Sequence, residues 1–137
     1  MSRRRQLSMF DDQRLSMADS LELTAASLTA YAERYRHWAI AFSGGKDSSA
    51  LVSVVLHLIA TRQVPAPKTL TVLYSDTRQE LPPLHLAALQ TLEQVRQMGY
   101  RAQVVLPALD DRFFVYMLGR GVPPPNNNTL RWCRKFT

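Results

Sequence analysis

The 137-residue chain is long enough for one domain whose core buries about two-thirds of the unfolded surface. With 46% hydrophobic and 20% charged residues it belongs with globular proteins, not with disordered or fibrous ones. The single cysteine, Cys133, excludes an intramolecular disulfide and any four-cysteine metal site built from this chain alone.

No uninterrupted apolar run approaches the ~20 residues that cross a bilayer. Arg3, Arg4 and Arg5 adjoin no apolar signal core. A cytoplasmic protein without a membrane partner is therefore expected. The net charge of +6 suits a polyanionic partner such as nucleic acid, although the arginines are dispersed along the chain.

Residues 1–15, MSRRRQLSMFDDQRL, lack periodicity and read as a mobile basic arm; one domain is expected over 16–137. A helix is predicted from Asp19 or Ser20 to about Arg36, burying Leu21, Ala25, Leu28, Tyr31, Ala32 and Tyr35. WAIAF (38–42) has the length and apolarity of a strand. Ala50, Leu51, Val54, Val55, Leu58 and Ile59 then recur at helical spacing to about Thr61. RQVPAPK is a proline-punctuated connection, and TLTVLY (69–74) reads as a fully buried strand. SDTRQELPP is a loop whose prolines at 82 and 83 suit the first turn of a helix ending near Met98 and Gly99. RAQVVL (101–106) is a third strand, DDRFFVYMLGR a short helix, and GVPPPNNNTLRWCRKFT is irregular. Strands alternating with helices predict an α/β fold with a parallel sheet and right-handed crossovers. Three strands form only part of such a sheet, so a fold incomplete at the C-terminus is expected.

The stretch between the first strand and the second helix carries the chemistry. SGGKDS (43–48) is a strand-to-helix turn in which Gly44 and Gly45 permit a sharp bend and close approach to a ligand. Ser43 or Ser48 is expected to cap the helix, whose free N–H groups and partial positive charge point into the loop. With Lys46 these make an anion site suited to phosphate. The ordinary P-loop pattern would require glycine at Ile40 and Ser or Thr at Asp47, and the dinucleotide fingerprint would require a third glycine. Both fail. YSDTRQE (74–80) follows the second strand, on the same carboxyl edge of the sheet, where ligands of such folds bind. Its Asp76 and Thr77 offer a carboxylate and a hydroxyl to ribose, to the adenine edge or to magnesium.

SGGKDS resembles the PP-loop of the adenine-nucleotide alpha-hydrolases, which share a three-layer Rossmann-like (HUP) fold. Their ATP pyrophosphatases split ATP between the alpha and beta phosphates. The resemblance places the phosphates on Ser43, Gly44, Gly45, Lys46, Asp47 and Ser48. Asp76, Thr77 and Glu80 are similar to the aspartate–threonine pair and following glutamate of members of the phosphoadenylyl-sulfate (PAPS) reductase type. GRGVPPPNNNTLRWC (119–133) resembles a segment of the DndC family, the sulfurtransferases of bacterial DNA phosphorothioation. There a glycine-flanked basic residue, prolines and an RWC tripeptide follow an aromatic helix.

These resemblances imply an ATP-dependent sulfurtransferase acting on DNA, with a cysteine desulfurase as sulfur donor. Lys46, Asp47 and Cys133 would be catalytic, Asp47 or Asp76 would hold Mg2+, and Arg131 would position a phosphate. Cys133 itself reads as a sulfur carrier, a metal ligand or a buried small residue. The family also implies a 4Fe–4S cluster on several cysteines, of which this chain has Cys133 alone. Arg134, Lys135 and Phe136 stand where the family usually has threonine and a basic stretch. The alternatives are a PAPS reductase, or a nucleotide-binding fragment that recruits DNA without turnover. In the arm, Gln6–Phe10 (QLSMF) resembles the peptide by which bacterial DNA enzymes dock on the sliding clamp; a hydrophobic staple against the first helix explains the same residues.

Overall fold

The computed structural model describes residues 15–121. Its elements alternate as expected: α1 (Met17–Ala32), β1 (His37–Phe42), α2 (Lys46–Ala60), β2 (Thr69–Ser75), α3 (Pro82–Gln97) and β3 (Arg101–Val105). The strands form a parallel sheet in the order β1-β2-β3. The fold is α/β and compatible with a Rossmann-like arrangement.

The register explains the single core. Ile40 aligns with Val72 and Val72 with Ala102; two residues further along, Phe42 aligns with Tyr74 and Tyr74 with Val104. Alternation of side chains puts all of these on one face. Ile40, Phe42, Leu70, Val72 and Tyr74 there meet Val52, Val55, Leu56 and Ile59 of α2 and Ala88, Leu92 and Val95 of α3. Both crossovers advance in the same direction across the sheet, and right-handed crossovers then place both helices on the same side.

Ala39, Ala41 and Gln103 on the opposite face are exposed, and Thr71 and Leu73 are half-buried. The three-layer arrangement expected from sequence is thus met, among the described residues, by two layers. The expectation that β2 is fully buried is corrected for the same reason: only its alternate residues Leu70, Val72 and Tyr74 are buried.

The first helix also differs from expectation. It begins at Met17, because Ser16 and Asp19 close a reciprocal capping box, and it ends at Ala32 instead of Arg36. Those hydrogen bonds hold the Asp19 carboxyl below its ordinary range. No α1 residue is buried; Leu28 reaches the core, whereas Tyr31 and Tyr35 are 60% and 50% exposed. Tyr35 lies beyond the helix, and its carbonyl accepts the Trp38 indole N–H at 2.7 Å. The prolines behave as read: Pro82 and Pro83 occupy the first turn of α3, where the missing N–H groups would have had no intrahelical partner.

After β3 the short helix expected over DDRFFVYMLGR divides into a 3-10 turn at Leu109–Asp111 and a π-helical turn at Val115–Gly119. Arg120 joins the two, with its guanidinium 3.3 Å from the Asp110 carboxylate and 5.8 Å from the Tyr116 ring centre. The residues of the PPP…RWC segment, with Arg131 and Cys133, lie outside the described residues, as do residues 1–14 of the arm with the Gln6–Phe10 motif.

Candidate functional site

The glycine loop runs from the carboxyl end of β1 into the first turn of α2. Gly44 has φ +75°, a left-handed conformation that costs other residues about 1–2 kcal/mol. A Cβ added there would stand 3.0 Å from the Ala88 Cβ and 3.7 Å from the Tyr74 ring. Gly44 is therefore required twice, by its backbone and by the close approach of α3.

Neither serine caps α2 in the expected manner. Gly45 occupies the N-cap in an extended conformation, with no side-chain cap. Ser48, three residues into the helix, instead ties the loop together: its hydroxyl donates to the Gly45 carbonyl at 3.0 Å and accepts the Ser43 N–H at 3.3 Å. The Ser43 and Ser48 hydroxyls lie 3.1 Å apart. The serines thus shape the turn while leaving the backbone N–H groups of Lys46, Asp47 and Ser48 at the helix start without an intrahelical acceptor. Replacing Ser48 with alanine should lower stability by about 0.5–1.5 kcal/mol, read by urea denaturation, through loss of these loop hydrogen bonds.

Lys46 and Asp47 project from this turn almost fully into solvent, with their charged groups 3.6 Å apart. An ion pair so exposed contributes little to stability, so both groups remain available to a ligand. The partial positive charge and open N–H groups at the start of α2 lie in the turn that carries Lys46 at its first helical position.

Beside the loop, the end of β2 turns into a compact polar hairpin of side chains. Asp76 is buried, at 3% exposure, and its backbone N–H donates to the Val105 carbonyl at 3.0 Å. One carboxylate oxygen accepts the Arg78 N–H at 2.9 Å; the other faces the Arg78 side-chain Nε at 3.3 Å. Arg78 adopts φ +62° to make both contacts. The Thr77 hydroxyl donates to the Glu80 carboxylate at 2.9 Å. The aspartate–threonine–glutamate pattern read from sequence thus resolves into two contacts, Asp76 with Arg78 and Thr77 with Glu80.

Asp76, Arg78, Glu80, Pro82 and His85 line a cavity of about 210 Å³. That volume accommodates a sugar or phosphate moiety, not a whole nucleotide. A larger groove of about 350 Å³ lies between α2 and α3, but its lining, including Val52, Leu56, Val95 and Met98, contains none of the loop residues.

The chain matches no family model, no curated protein and no solved structure.

His85 is the site residue that sequence reading missed. Its Nδ1 lies 3.1 Å from the hydroxyl of Tyr74, a side chain that is otherwise completely buried. Burial first, then the negative charges of Glu80 and Asp76, pushes the Tyr74 phenol above its ordinary pKa, so it stays protonated at neutral pH. A signal was present in the sequence. A tyrosine at the carboxyl end of a buried strand needs a polar partner, and the first turn of the next helix is within reach.

Of the expected magnesium ligands, Asp47 is exposed at the start of α2 and Asp76 is engaged by Arg78. No group of three or more His, Cys, Asp or Glu side chains suited to a metal occurs among the described residues. A magnesium ion brought on nucleotide phosphates would need only one or two carboxylates from the protein, and Asp47 is exposed for that role. No helix among the described residues is long and apolar enough to cross a membrane.

Proposed function

We propose that this chain is the nucleotide-handling domain of a PP-loop (HUP-type) ATP pyrophosphatase of the sulfurtransferase kind, with a nucleic-acid backbone as the acceptor. The observation that carries the proposal is the SGGKDS turn. Gly44 brings it against α3, Gly45 leaves the helix start uncapped by a side chain, and Lys46 stands beside the open N–H groups. This arrangement supplies preorganised positive charge where phosphate charge develops, without a Walker-type lysine–threonine pair.

In this reading Lys46 and the N–H groups at the start of α2 hold the beta and gamma phosphates as pyrophosphate leaves. Asp47 holds the magnesium ion carried by the nucleotide. The cavity at Glu80 and His85 receives the sugar end, and Thr77 and Asp76 keep its wall in place. An acceptor oxygen attacks the alpha phosphorus, pyrophosphate departs, and the adenylylated acceptor then loses AMP to a sulfur nucleophile. The terminal sulfur of a persulfide from a cysteine desulfurase is the corresponding nucleophile; a second thiol then cleaves its S–S bond, leaving the sulfur on the acceptor and a disulfide on the donor. Arg131 and Cys133 belong to the same proposal through the family resemblance.

Isothermal calorimetry with ATP–Mg2+ and with PAPS tests the reading. ATP should bind, PAPS should bind more weakly, and Lys46→Ala should weaken ATP by at least about 10-fold, the loss of one charge-assisted contact. A preference for PAPS would replace the ATP reading with a reductase. ATP binding without pyrophosphate release in the presence of an oligonucleotide acceptor and a sulfur donor would leave a nucleotide-binding module.

A further inference from the structure

Both ends of the strands carry cations, but at the carboxyl edge Lys46, Arg78 and Arg120 each face a carboxylate, of Asp47, Asp76 and Asp110. Asp47, Asp76, Glu80, Asp110 and Asp111 all follow the carboxyl ends of strands, at the edge that carries the glycine loop. The opposite, amino edge carries further cations, with Glu33 among them. Arg34 and Arg36 precede β1, Lys68 immediately precedes β2, and Arg101 opens β3. Hydrogen bonds from the Lys68 and Thr69 N–H groups to the Arg36 carbonyl, at 2.7 and 3.3 Å, hold the first two strand starts side by side. Arg101 aligns with Thr71, two residues further along the neighbouring strand.

Helix ends explain only part of this. A cation near a helix C-terminus offsets the partial negative charge there. Arg34 and Arg62 occupy those places just after α1 and α2, and Arg96 lies in the last turn of α3, where it also faces Glu93 at 3.4 Å. Arg36, Lys68 and Arg101 sit at strand starts, where no helix end calls for them. All three are exposed, and none has a carboxylate partner among the described residues.

The same edge carries two exposed aromatic rings. Tyr31 and Tyr35 lie 6.1 Å apart between centres, and the Arg34 guanidinium stands 5.6 Å from the Tyr35 ring. Sequence periodicity assigned both tyrosines to a buried helix face, yet they are half or more exposed. Unpartnered cations that follow a backbone, next to aromatic faces on which bases stack, are the elements of a single-strand nucleic-acid surface. Duplex DNA or an anionic bilayer would engage the cations but would give the tyrosine pair no stacking role.

We infer that the amino edge of the sheet, through Tyr31, Arg34, Tyr35, Arg36, Lys68 and Arg101, is a docking surface for single-stranded nucleic acid, separate from the glycine-loop site. The inference draws its choice of polyanion from the proposed nucleic-acid acceptor, and it locates an anchor at the other end of the strands. The acceptor is thereby held by a surface that does not compete with ATP.

Fluorescence anisotropy of a labelled oligo(dT), titrated with the full chain at several salt concentrations, tests it. Arg36→Gln/Lys68→Gln should weaken binding and reduce the salt slope by about 1 to 1.5, as expected for two lost phosphate contacts on a single strand. Tyr31→Ala/Tyr35→Ala should weaken binding at least about tenfold, whereas the conservative Tyr31→Phe/Tyr35→Phe should retain it. Circular dichroism and thermal melting establish that each variant is folded. A Lys46→Ala chain should bind the oligonucleotide normally, and this result supports the separate surface even if ATP binding is never observed.

Absence of oligonucleotide binding, or binding unchanged in the Arg36/Lys68 pair, overturns the inference. So does equal affinity for a duplex of the same length with no effect of the tyrosine variants, and so does tighter binding to phosphatidylserine vesicles than to oligo(dT).

Discussion

Gly44→Ala should destabilise the protein by about 2–4 kcal/mol and remove ATP binding, the combined cost of a left-handed non-glycine residue and an overpacked contact. The two contributions have separate origins. At φ +75° the added methyl strains the loop whatever space surrounds it. At 3.0 Å from the Ala88 Cβ it also meets a neighbour with no freedom to rotate away. Ala88 is 1% exposed, and its helix is fixed by the buried Leu92 and Val95, so relief requires moving either α3 or the loop.

Gly45→Ala provides the contrast. Its backbone is extended at φ −79°, and an added Cβ meets only the Ser43 hydroxyl, at 3.4 Å. That substitution should cost about 1 kcal/mol or less, the difference between glycine and alanine at an N-cap. Urea denaturation of both variants, with ATP–Mg2+ calorimetry alongside, measures the difference. Equal stability of the two would mean that the loop does not need the left-handed turn. Adding Ala88→Gly to Gly44→Ala, with Ala88→Gly alone as reference, should recover the overpacking share and leave the backbone share.

The pair of glycines was legible in the sequence, but the division of labour between them was not. Adjacent glycines after an apolar strand announce a turn; which one adopts positive φ depends on α3, some forty residues later. The serines illustrate the same limit. A serine near a helix start reads as a cap, yet Ser48 stands at the third helical position, and its hydroxyl closes the loop onto Ser43 and Gly45. Local chemistry indicated a hydrogen-bonding role and tertiary geometry selected the partner.

Elements and their order were legible because their apolar periods are clear and proline marks the start of α3. Burial was not, because it depends on how many layers surround the sheet. TLTVLY is apolar enough for a strand covered on both faces, but α2 and α3 both lie on one face, and Thr71 and Leu73 remain half-buried. In α1, Tyr31 and Tyr35 continue the helical spacing of Leu21 and Leu28. The helix nevertheless ends at Ala32, and the tyrosines emerge at the amino edge of the sheet. His85 escaped notice because its role comes from Tyr74, eleven residues earlier, through a contact that only the packed helix creates.

Tyr74 is where stability and site meet most directly, and its substitutions should separate the two. Tyr74→Ala should cost about 3–5 kcal/mol, as for other fully buried aromatic side chains. Tyr74→Phe keeps the ring that packs 5.8 Å from Phe42 and removes only the hydroxyl facing His85. Its cost should be about 1 kcal/mol, the usual net worth of one hydrogen bond.

The pH dependence has a definite sign. The folded-state pKa of Tyr74 is raised by burial, Glu80 and Asp76. Its contribution is therefore fully present below the unfolded-state value of about 10 and is lost as pH rises through the folded value, because the unfolded chain releases that proton first. Wild-type stability should fall from about pH 10 up to the folded-state value, and Tyr74→Phe should fall less steeply over the same interval. An equally steep fall would place the alkaline sensitivity elsewhere. At neutral pH the phenol is protonated and fixes one nitrogen of His85, which sets the orientation of the imidazole along the cavity wall. Tyr74→Phe should therefore weaken ATP more than its small stability cost explains, because it releases His85 without disturbing the glycine loop.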